Sequence, residues 1–389
     1  MRVLVLGGSG LFGSLTARRL AGSDIVSELA VAGRNQEALA RVASDIGEKA
    51  RAVQVDISDE HRLASVAADF DIVVNVAAPE WQVVLPALRA AIAAGTDYCD
   101  IGAFAFTTEK QLELDSAAKE RGIVAVVGMG LDPGVDNLLA VHASRRFDRL
   151  EDVQLCYVFN ISEFLTDLPG ALEKLRSTGH VDATLLGTLY VASMPARTFR
   201  DGRSIEVDAR ENPVEMTLPD DGIVTGFPAA FSEPLTLPRY LPSLRNAMSV
   251  LSYFPPPLNE LRFRMGQRVV REGLTPHEAA RSFLETVSAD PGRWLPPVAK
   301  SPGVWRMWVV ATGWKEGRRA RYTCWPLGAL YSTSIPLTVA TLRILRGEVR
   351  ARGVLPPEGA FEPASFFEEA GQHSKEEDRG KPLVGERFE

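Results

Sequence analysis

Arg2-Val3-Leu4-Val5-Leu6-Gly7-Gly8-Ser9-Gly10-Leu11-Phe12-Gly13 is the stretch that decides the fold of this chain. Its first five residues form a mostly apolar run that predicts a buried parallel strand, and a helix is predicted to continue through Leu20. Gly7 permits a tight turn, Gly10 lets the backbone approach an anion, and Gly13 lets the helix lie close to the strand. Because a helix N-terminus offers free N–H groups and the positive end of a dipole, the stretch predicts a pyrophosphate-binding loop.

The end of the second predicted strand decides which dinucleotide is favoured. Leu29–Ala32 runs into Gly33-Arg34-Asn35, where an acidic residue would favour NAD by bonding the ribose 2′-hydroxyl. Arg34 instead offers a fixed cation and a planar fork suited to a 2′-phosphate, so NADP(H) is favoured, with NAD(H) as the alternative. Asp56, after the third strand, is expected to bond the adenine amino group. The expected dinucleotide-binding residues are Gly7, Gly10, Leu11, Phe12, Gly13, Arg34, Asn35, Asp56, Ile57, Ala77 and Ala78.

Composition limits the possible classes of function. The chain has 389 residues, more than one hydrophobic core normally serves, so two domains are expected. The net charge of -7 and the lack of a basic patch argue against nucleic acid or an anionic membrane as partner. Three cysteines without a CxxC pair favour a reducing cytoplasm. The five histidines show no HxH or HExxH spacing, so no metal site is expected, and no apolar run is long enough for a membrane span.

The pattern of predicted elements indicates an α/β protein with an inserted domain. Residues 1–127 alternate strand and helix, which predicts a doubly wound parallel sheet of the Rossmann type. Residues 128–329 are predicted to form an α+β domain with a mainly antiparallel sheet. We predict that this domain binds the substrate and mediates dimerisation. The Pro-rich run 227–258 is expected to be irregular rather than part of a sheet core. The charged tail 371–389 is expected to fray.

Three segments carry residues suited to chemistry. They are Gly95-Thr96-Asp97-Tyr98-Cys99-Asp100-Ile101-Gly102, the segment Gly128–Asn137, and Tyr331-Ser332-Thr333-Ser334-Ile335-Pro336, with Gly353–Glu358 further on. Each lies at the carboxyl end of a predicted strand or in the loop after it, where ligands bind in an open α/β sheet.

These segments resemble the saccharopine dehydrogenase family, in particular saccharopine reductases and carboxynorspermidine dehydrogenase. The resemblance rests on Gly7–Gly13, Asp97-Tyr98-Cys99-Asp100, Gly130-Leu131-Asp132-Pro133-Gly134-Val135-Asp136-Asn137 and Gly353–Glu358. It implies NAD(P)H-dependent reduction of an imine formed from an aldehyde and an amine or amino acid, or the reverse oxidation. It also implies a discontinuous Rossmann domain, which residues of about 330–365 complete. We further expect a homodimer.

Imine reduction needs a proton donor and a group that stabilises positive charge on nitrogen, and a carboxylate can serve both needs. Asp100, Asp132 and Asp136 are the candidate carboxylates, with Cys99 as a weaker relay. Each Asp could equally be a turn or helix-cap residue. Candidate substrate-binding residues are Tyr98, His180, Arg239, Arg245, Thr333 and Ser334.

Two other readings stay open. A short-chain dehydrogenase or epimerase would need Tyr-x-x-x-Lys, and none of the seven tyrosines has a lysine four residues on. A non-catalytic NADP(H) sensor would use the fold for binding alone, although the second domain is larger than a sensor requires.

Overall fold

The computed structural model describes residues 1–179, 181–220, 222–296, 303–374, 376 and 379–389. His180 therefore lies outside the described residues. The described residues divide into two compact units. The first unit comprises Met1–Arg146 and Pro326–Glu386, and the second comprises Phe147–Trp325 and Arg387–Glu389.

The first unit is built on a parallel sheet with the strand order β15-β6-β5-β4-β1-β2-β3. Its strands are β1 (Arg2–Leu6), β2 (Glu28–Gly33), β3 (Ala50–Gln54), β4 (Ile72–Asn75), β5 (Asp97–Asp100), β6 (Val124–Val126) and β15 (Gly353–Leu355). Apolar runs such as Val3–Leu6 and Ile72–Val74 are wholly buried, as expected for strands covered on both faces. The order reverses between β1 and β4, and this switch point is where a doubly wound sheet opens a crevice for ligands.

Helices connect and cover these strands. They are α1 (Leu11–Ala21), α2 (Gln36–Ile46), α3 (Glu60–Ala67), α4 (Glu80–Ala94), α5 (Ala105–Leu112), α6 (Asp115–Glu120), α7 (Val135–Ser144), α15 (Ser334–Leu345), α16 (Pro357–Ala360) and α17 (Pro363–Gln372). α4 ends at Gly95, whose φ of 74° gives the left-handed cap that glycine adopts without strain. α15 packs against α1, β4 and β5. Pro336 lies in its first turn, where a backbone N–H has no helical partner in any case.

The second unit contains most of a mixed sheet with the order β10-β11-β12-β7-β13-β14-β16, to which β8 and β9 add beside β12. Its strands are β7 (Arg149–Asn160), β8 (Ala196–Arg200), β9 (Arg203–Val207), β10 (Val214–Thr217), β11 (Ile223–Pro228), β12 (Asn246–Phe254), β13 (Trp305–Lys315), β14 (Arg318–Pro326) and β16 (Val384–Phe388). β7 and β12 pair in parallel, whereas β13 is antiparallel to both β7 and β14. Its helices are α8 (Ile161–Phe164), α9 (Leu168–Thr178), α10 (Ala183–Val191), α11 (Glu233–Thr236), α12 (Pro257–Glu272), α13 (Pro276–Ala289) and α14 (Pro291–Trp294).

The predicted fold class, an α/β protein with a parallel Rossmann sheet and an inserted α+β domain, is confirmed, and the second domain contains a mixed sheet. Two local expectations are wrong. The run 227–258 contains β12, a largely buried strand beside β7, because its prolines flank the strand and none lies within Asn246–Phe254. In the charged tail, Val384–Phe388 forms β16, and Glu389 and Arg321 exchange backbone hydrogen bonds of 2.8 and 2.7 Å. The domain boundaries at 127 and 330 and the roles given to each domain stay predictions. Of the described helices, none is both long and apolar enough to cross a membrane.

Candidate functional site

The glycine-rich turn between β1 and α1 has the geometry of an anion cradle. Gly7 has a φ of 74°, and a Cβ there would lie 2.7 Å from the backbone of Ala77. A Cβ on Gly13 would lie 2.2 Å from the carbonyl oxygen of Gly7, so both glycines are required by close packing. A Cβ on Gly10 would meet one neighbour, Gly7 O at 3.3 Å. The loop is therefore closely packed beneath and open at Gly10.

The start of α1 fits a negatively charged ligand. Gly10 occupies the N-cap position, no side chain caps the helix, and its first turn holds no acidic residue. Among the residues that the structure describes, no side chain caps these N-terminal N–H groups, and the helix dipole favours an anion there. Leu11 and Phe12 are exposed, with 71% and 37% of their surface accessible. The predicted pyrophosphate contacts at Gly7–Gly13 fit this geometry.

Residues predicted to hold the adenosine half lie at the carboxyl ends of β2 and β3. Arg34 is exposed, whereas Asn35 caps α2 by accepting a 3.0 Å hydrogen bond from Ala38 N. Asp56 accepts bonds from Ser58 N at 2.9 Å and Ser58 Oγ at 2.8 Å. These bonds, with a smaller contribution from the Arg34 charge, hold the pKa of Asp56 below its usual range. Arg34 and Asp56 are thus close enough to interact, and Ile57 is buried beside them.

Asp100 ends β5 and is completely buried. Its Oδ1 accepts hydrogen bonds from Gly102 N at 3.0 Å and Gly128 N at 2.8 Å. Its Oδ2 accepts bonds from Tyr98 Oη at 2.8 Å and Gln111 Nε2 at 2.6 Å. These donors fill the four acceptor positions of a carboxylate. Burial raises the pKa of Asp100 although all four bonds oppose the shift. Asp100 thus connects the loops after β5 and β6. This fits the alternative in which Asp100 has a structural role in a turn.

Tyr98 and Cys99 are enclosed with Asp100. Both have no exposed surface, and Tyr98 Oη accepts a 3.1 Å bond from Asn75 Nδ2 while donating to Asp100. Burial raises the pKa of the Cys99 thiol and of the Tyr98 phenol well above their ordinary values. The burial of Tyr98 does not favour the predicted substrate contact, and a protonated, buried Cys99 is a poor proton relay. Both assignments stay predictions.

Glu80 is a candidate that the sequence reasoning missed. It is the first residue of α4, three positions after Ala77, and it is partly exposed. Its Oε2 accepts a 2.8 Å bond from Ala103 N, and its Oε1 accepts bonds from Phe104 N at 2.8 Å and from the Thr107 hydroxyl. Desolvation of the carboxylate raises the pKa of Glu80 to about 7, against the effect of these donors.

Glu80 and Asp100 both lie close to Gly102. A Cβ on Gly102 would be 3.4 Å from Asp100 Oδ1 and 3.6 Å from Glu80 Oε1. Asp100 accordingly contributes to the raised pKa of Glu80. Aromatic rings continue the same edge, since Trp81 stacks on Phe104 with centroids 6.2 Å apart and Phe104 stacks on Phe106 at 5.9 Å. The β4–β5 end of the first unit thus combines two carboxylates with an aromatic row.

The loop from Gly128 to Asn137 has a backbone conformation that requires glycine at position 134. Gly134 has a φ of 132°, and a Cβ there would lie 2.2 Å from Gly130 O. Asp136 is fully buried, and its Oδ1 accepts from Gly134 N at 2.9 Å and Asn137 N at 2.7 Å. Asp132 is partly exposed beside the cis bond to Pro133. Asp136 therefore stabilises the start of α7. Asp132 is the more solvent-exposed of the two carboxylates.

The remaining predicted substrate residues are distributed between the two units. In the first unit, Thr333 Cγ2 would lie 3.5 Å from a Cβ on Gly130, which places Thr333 beside the Gly128–Asn137 loop. Ser334 is buried at the start of α15. In the second unit, Arg239 is exposed, and Arg245 forms an exposed ion pair with Asp201 at 3.5 Å. The structure thus brings Thr333 to the edge that carries Asp100, while both arginines are surface residues of the other unit.

Comparison with known proteins identifies relatives of this chain. Residues 3–126 match the model of the saccharopine dehydrogenase NADP binding domain. Carboxyaminopropylagmatine dehydrogenase of Synechocystis sp. is 22% identical over 401 residues, which cover 95% of each chain. A trans-acting enoyl reductase of Mycobacterium leprae is 27% identical over 158 residues, which cover 40% of this chain and 38% of that protein.

Among solved structures, saccharopine dehydrogenase (L-Glu forming) from Saccharomyces cerevisiae has a similar fold. The two structures align with a TM-score of 0.65 and 18% identity, over 100% of this chain and 99% of the other. The likeness therefore extends through both units and is not confined to the nucleotide-binding sheet.

Proposed function

We propose that this chain is an NADP(H)-dependent oxidoreductase acting on carbon–nitrogen bonds, because its residues 3–126 match the saccharopine dehydrogenase NADP binding domain and 95% of its length aligns with carboxyaminopropylagmatine dehydrogenase. In the reducing direction its substrate is the imine formed between an aldehyde and an amine or amino acid. In the oxidising direction its substrate is the corresponding secondary amine. The relationship to carboxyaminopropylagmatine dehydrogenase over 95% of both chains supports a substrate of this class.

One observation carries the proposal: carboxylates lie at the edge of the sheet that also holds the phosphate loop. Gly7 of that loop abuts Ala77, and Glu80 and Asp100 follow at the ends of β4 and β5. In a doubly wound sheet a dinucleotide lies across the switch point, with its nicotinamide half on the β4 side. The imine nitrogen becomes positively charged during reduction, and a carboxylate at this edge stabilises that charge.

The residues of the chain have separable tasks in this reaction. A bound nicotinamide dinucleotide supplies or accepts the hydride. The N-terminus of α1 binds its pyrophosphate, and Gly10 leaves the space for it. Asp100 holds the loops after β5 and β6 in place through its four hydrogen bonds. The aromatic row of Trp81, Phe104 and Phe106 provides an apolar surface that excludes water from this edge.

The preference for NADP(H) over NAD(H) rests on Arg34. This exposed guanidinium follows β2 at the position where an acidic side chain would favour NAD(H). The match of residues 3–126 to an NADP binding domain supports the same preference. NAD(H) remains the alternative cofactor.

A panel of paired substrates tests the proposal. Carboxyaminopropylagmatine and saccharopine are incubated with NADP⁺ or NAD⁺, and the absorbance of the reduced nicotinamide at 340 nm is followed. In the other direction, aldehydes that carry a carboxylate are mixed with agmatine, diamines or amino acids in the presence of NADPH. Turnover of an amine–aldehyde pair, with no turnover of the aldehyde alone or of an enoyl thioester, is the expected result.

The competing functions give different outcomes in the same panel. Reduction of an enoyl thioester alone would indicate that the protein reduces carbon–carbon double bonds, as the name of the mycobacterial enoyl reductase implies for that relative. Binding of NADPH without turnover of any pair would indicate a sensor. The predicted homodimer and cytoplasmic location remain part of the proposal, and light scattering of the purified protein measures the oligomeric state.

A further inference from the structure

We propose that Glu80 is the residue that exchanges a proton with the reacting nitrogen of the substrate. The inference rests on the proposed function and deepens it, because it assigns the proton to a side chain that the sequence reasoning did not select. In reduction, the Glu80 O–H bond breaks as an N–H bond forms on the imine nitrogen. The hydride from the dinucleotide brings the electron pair to the imine carbon, and water returns a proton to Glu80. Amine oxidation reverses these steps.

Glu80 and Asp100 differ in how many of their hydrogen-bond acceptor positions are occupied. A carboxylate can accept about four hydrogen bonds. Asp100 accepts four and is completely buried, so no oxygen of Asp100 is left for a substrate. Glu80 accepts three, from Ala103 N, Phe104 N and the Thr107 hydroxyl, and Oε2 accepts one of them. Glu80 thus keeps one acceptor position and some exposed surface.

Glu80 also lies close to the predicted phosphate-binding loop. Glu80 begins α4 directly after the turn that contacts Gly7 of the phosphate loop. Its three donors come from the segment after β5, so the carboxylate is fixed between the ends of two neighbouring strands on the predicted nicotinamide side of the switch point. A general acid must be held within hydrogen-bonding reach of its target, and three donors provide that fixation.

The polar and charged groups around Glu80 influence its protonation state. Asp100 faces it from β5, and Thr107 faces it from α5. The ion pair between Glu60 of α3 and Arg89 lies towards the other end of α4. Desolvation and the nearby Asp100 oppose ionisation, which brings the pKa of Glu80 to about 7 and makes both protonation states available near neutral pH.

The alternative is that Glu80 only caps the segment before α5, whose N-terminus has no cap from its own side chains. Glu80→Gln separates the two roles, since the amide keeps an acceptor oxygen but cannot exchange a proton. Glu113→Gln is the matched control, because it replaces a glutamate by glutamine at an exposed position, the C-terminal end of α5. Thr107→Val is a second variant that removes one donor from the carboxylate and leaves Glu80 itself intact.

The experiment measures single-turnover reduction of the most active amine–aldehyde pair from the panel, with saturating NADPH, between pH 5 and 9. We expect the wild-type rate to fall above a pKa near 7, and Glu80→Gln to lose about 10²-fold or more in rate together with that pH dependence. Because the Thr107 hydroxyl lowers the pKa of Glu80, Thr107→Val should move the fall to higher pH. Glu113→Gln should match the wild type.

Two results would overturn the inference, and they differ from failure of the proposed function. A Glu80→Gln protein with a lower melting temperature but the wild-type rate and pH dependence would make Glu80 a cap alone. An unmoved pH dependence in Thr107→Val would assign the titration to the substrate or to another group. If the wild type turns over no amine–aldehyde pair, the proposed function fails, and the role of Glu80 fails with it.

Discussion

Among single residues, Arg34 is the one to which we assign the proposed preference for NADP(H). Arg34→Ala should weaken NADPH binding by about 1–3 kcal/mol, because a charge-assisted bond to the 2′-phosphate is lost, and NADH binding should change little. Arg41→Ala is the matched control, since Arg41 is an exposed arginine on α2 that pairs with Glu37 at 3.1 Å. Fluorescence titration with both nucleotides measures the effect. Equal losses for NADPH and NADH would show that Arg34 does not read the 2′-phosphate.

Asp100 is the residue for which the structure most changes the expected phenotype. Asp100→Asn places an amide N–H₂ among four donors, so at least one of Gly102 N, Gly128 N, Tyr98 Oη and Gln111 Nε2 loses its acceptor. We expect the free energy of unfolding to fall by about 1–3 kcal/mol, the cost of an unsatisfied buried donor, with a smaller change in rate per folded molecule. Denaturant unfolding and single-turnover rates on one preparation check this. A stable variant that loses about 10²-fold in rate would restore the direct role predicted from the sequence.

Glu80 shows why residue roles were harder to predict than the fold. Its bonding partners lie at positions 103, 104 and 107, so no local spacing in the sequence connects them. Asp100, in contrast, belongs to a recognisable Asp-Tyr-Cys-Asp motif, and this motif predicts a functional role for it. Both side chains are carboxylates near the same edge, and only their burial and hydrogen-bond partners distinguish them.

Among the structural elements, the β1–α1 turn offers a clean test of ligand binding against folding. Gly10→Val should remove dinucleotide binding and leave the fold intact, because the side chain enters the space above α1 and meets little protein. Gly13→Ala should instead destabilise the protein, since its Cβ would lie 2.2 Å from Gly7 O. Circular dichroism melting and NADPH titration on both variants measure the two effects. Wild-type NADPH affinity in a folded Gly10→Val protein would show that the loop does not bind the pyrophosphate.

Elements with strong local signals were predictable, and those fixed by distant partners were not. The apolar run of β1 and the glycines after it specify a buried strand and a turn within twelve residues. β12 lacked such a signal, because the prolines around Asn246–Phe254 suggested an irregular segment. Its strand conformation is stabilised by parallel pairing with β7, whose residues lie about ninety positions earlier in the chain.

At the scale of the whole molecule, the first unit is assembled from two distant parts of the chain. β15 pairs in parallel with β6 at the edge of the sheet, and α15 packs against α1 and β5. Every residue of α15 except Arg343 is buried, so the helix is part of the core of the first unit. This return of the chain was expected from the family resemblance, since no periodicity or spacing in the sequence indicates which sheet a late helix joins.

The first unit includes Pro326–Glu386, so we expect removal of these residues to destabilise it. A chain that ends at Trp325 should be poorly soluble or melt at a lower temperature, because the faces of α1 and β5 that α15 covers become exposed and β6 becomes an unprotected edge. NADPH binding should weaken together with stability, since α1 carries the phosphate loop. Co-expression of residues 326–389 as a separate chain is the control and should restore part of both properties. A soluble chain 1–325 with the wild-type melting temperature and NADPH affinity would show instead that the nucleotide-binding unit is complete without α15 and β15.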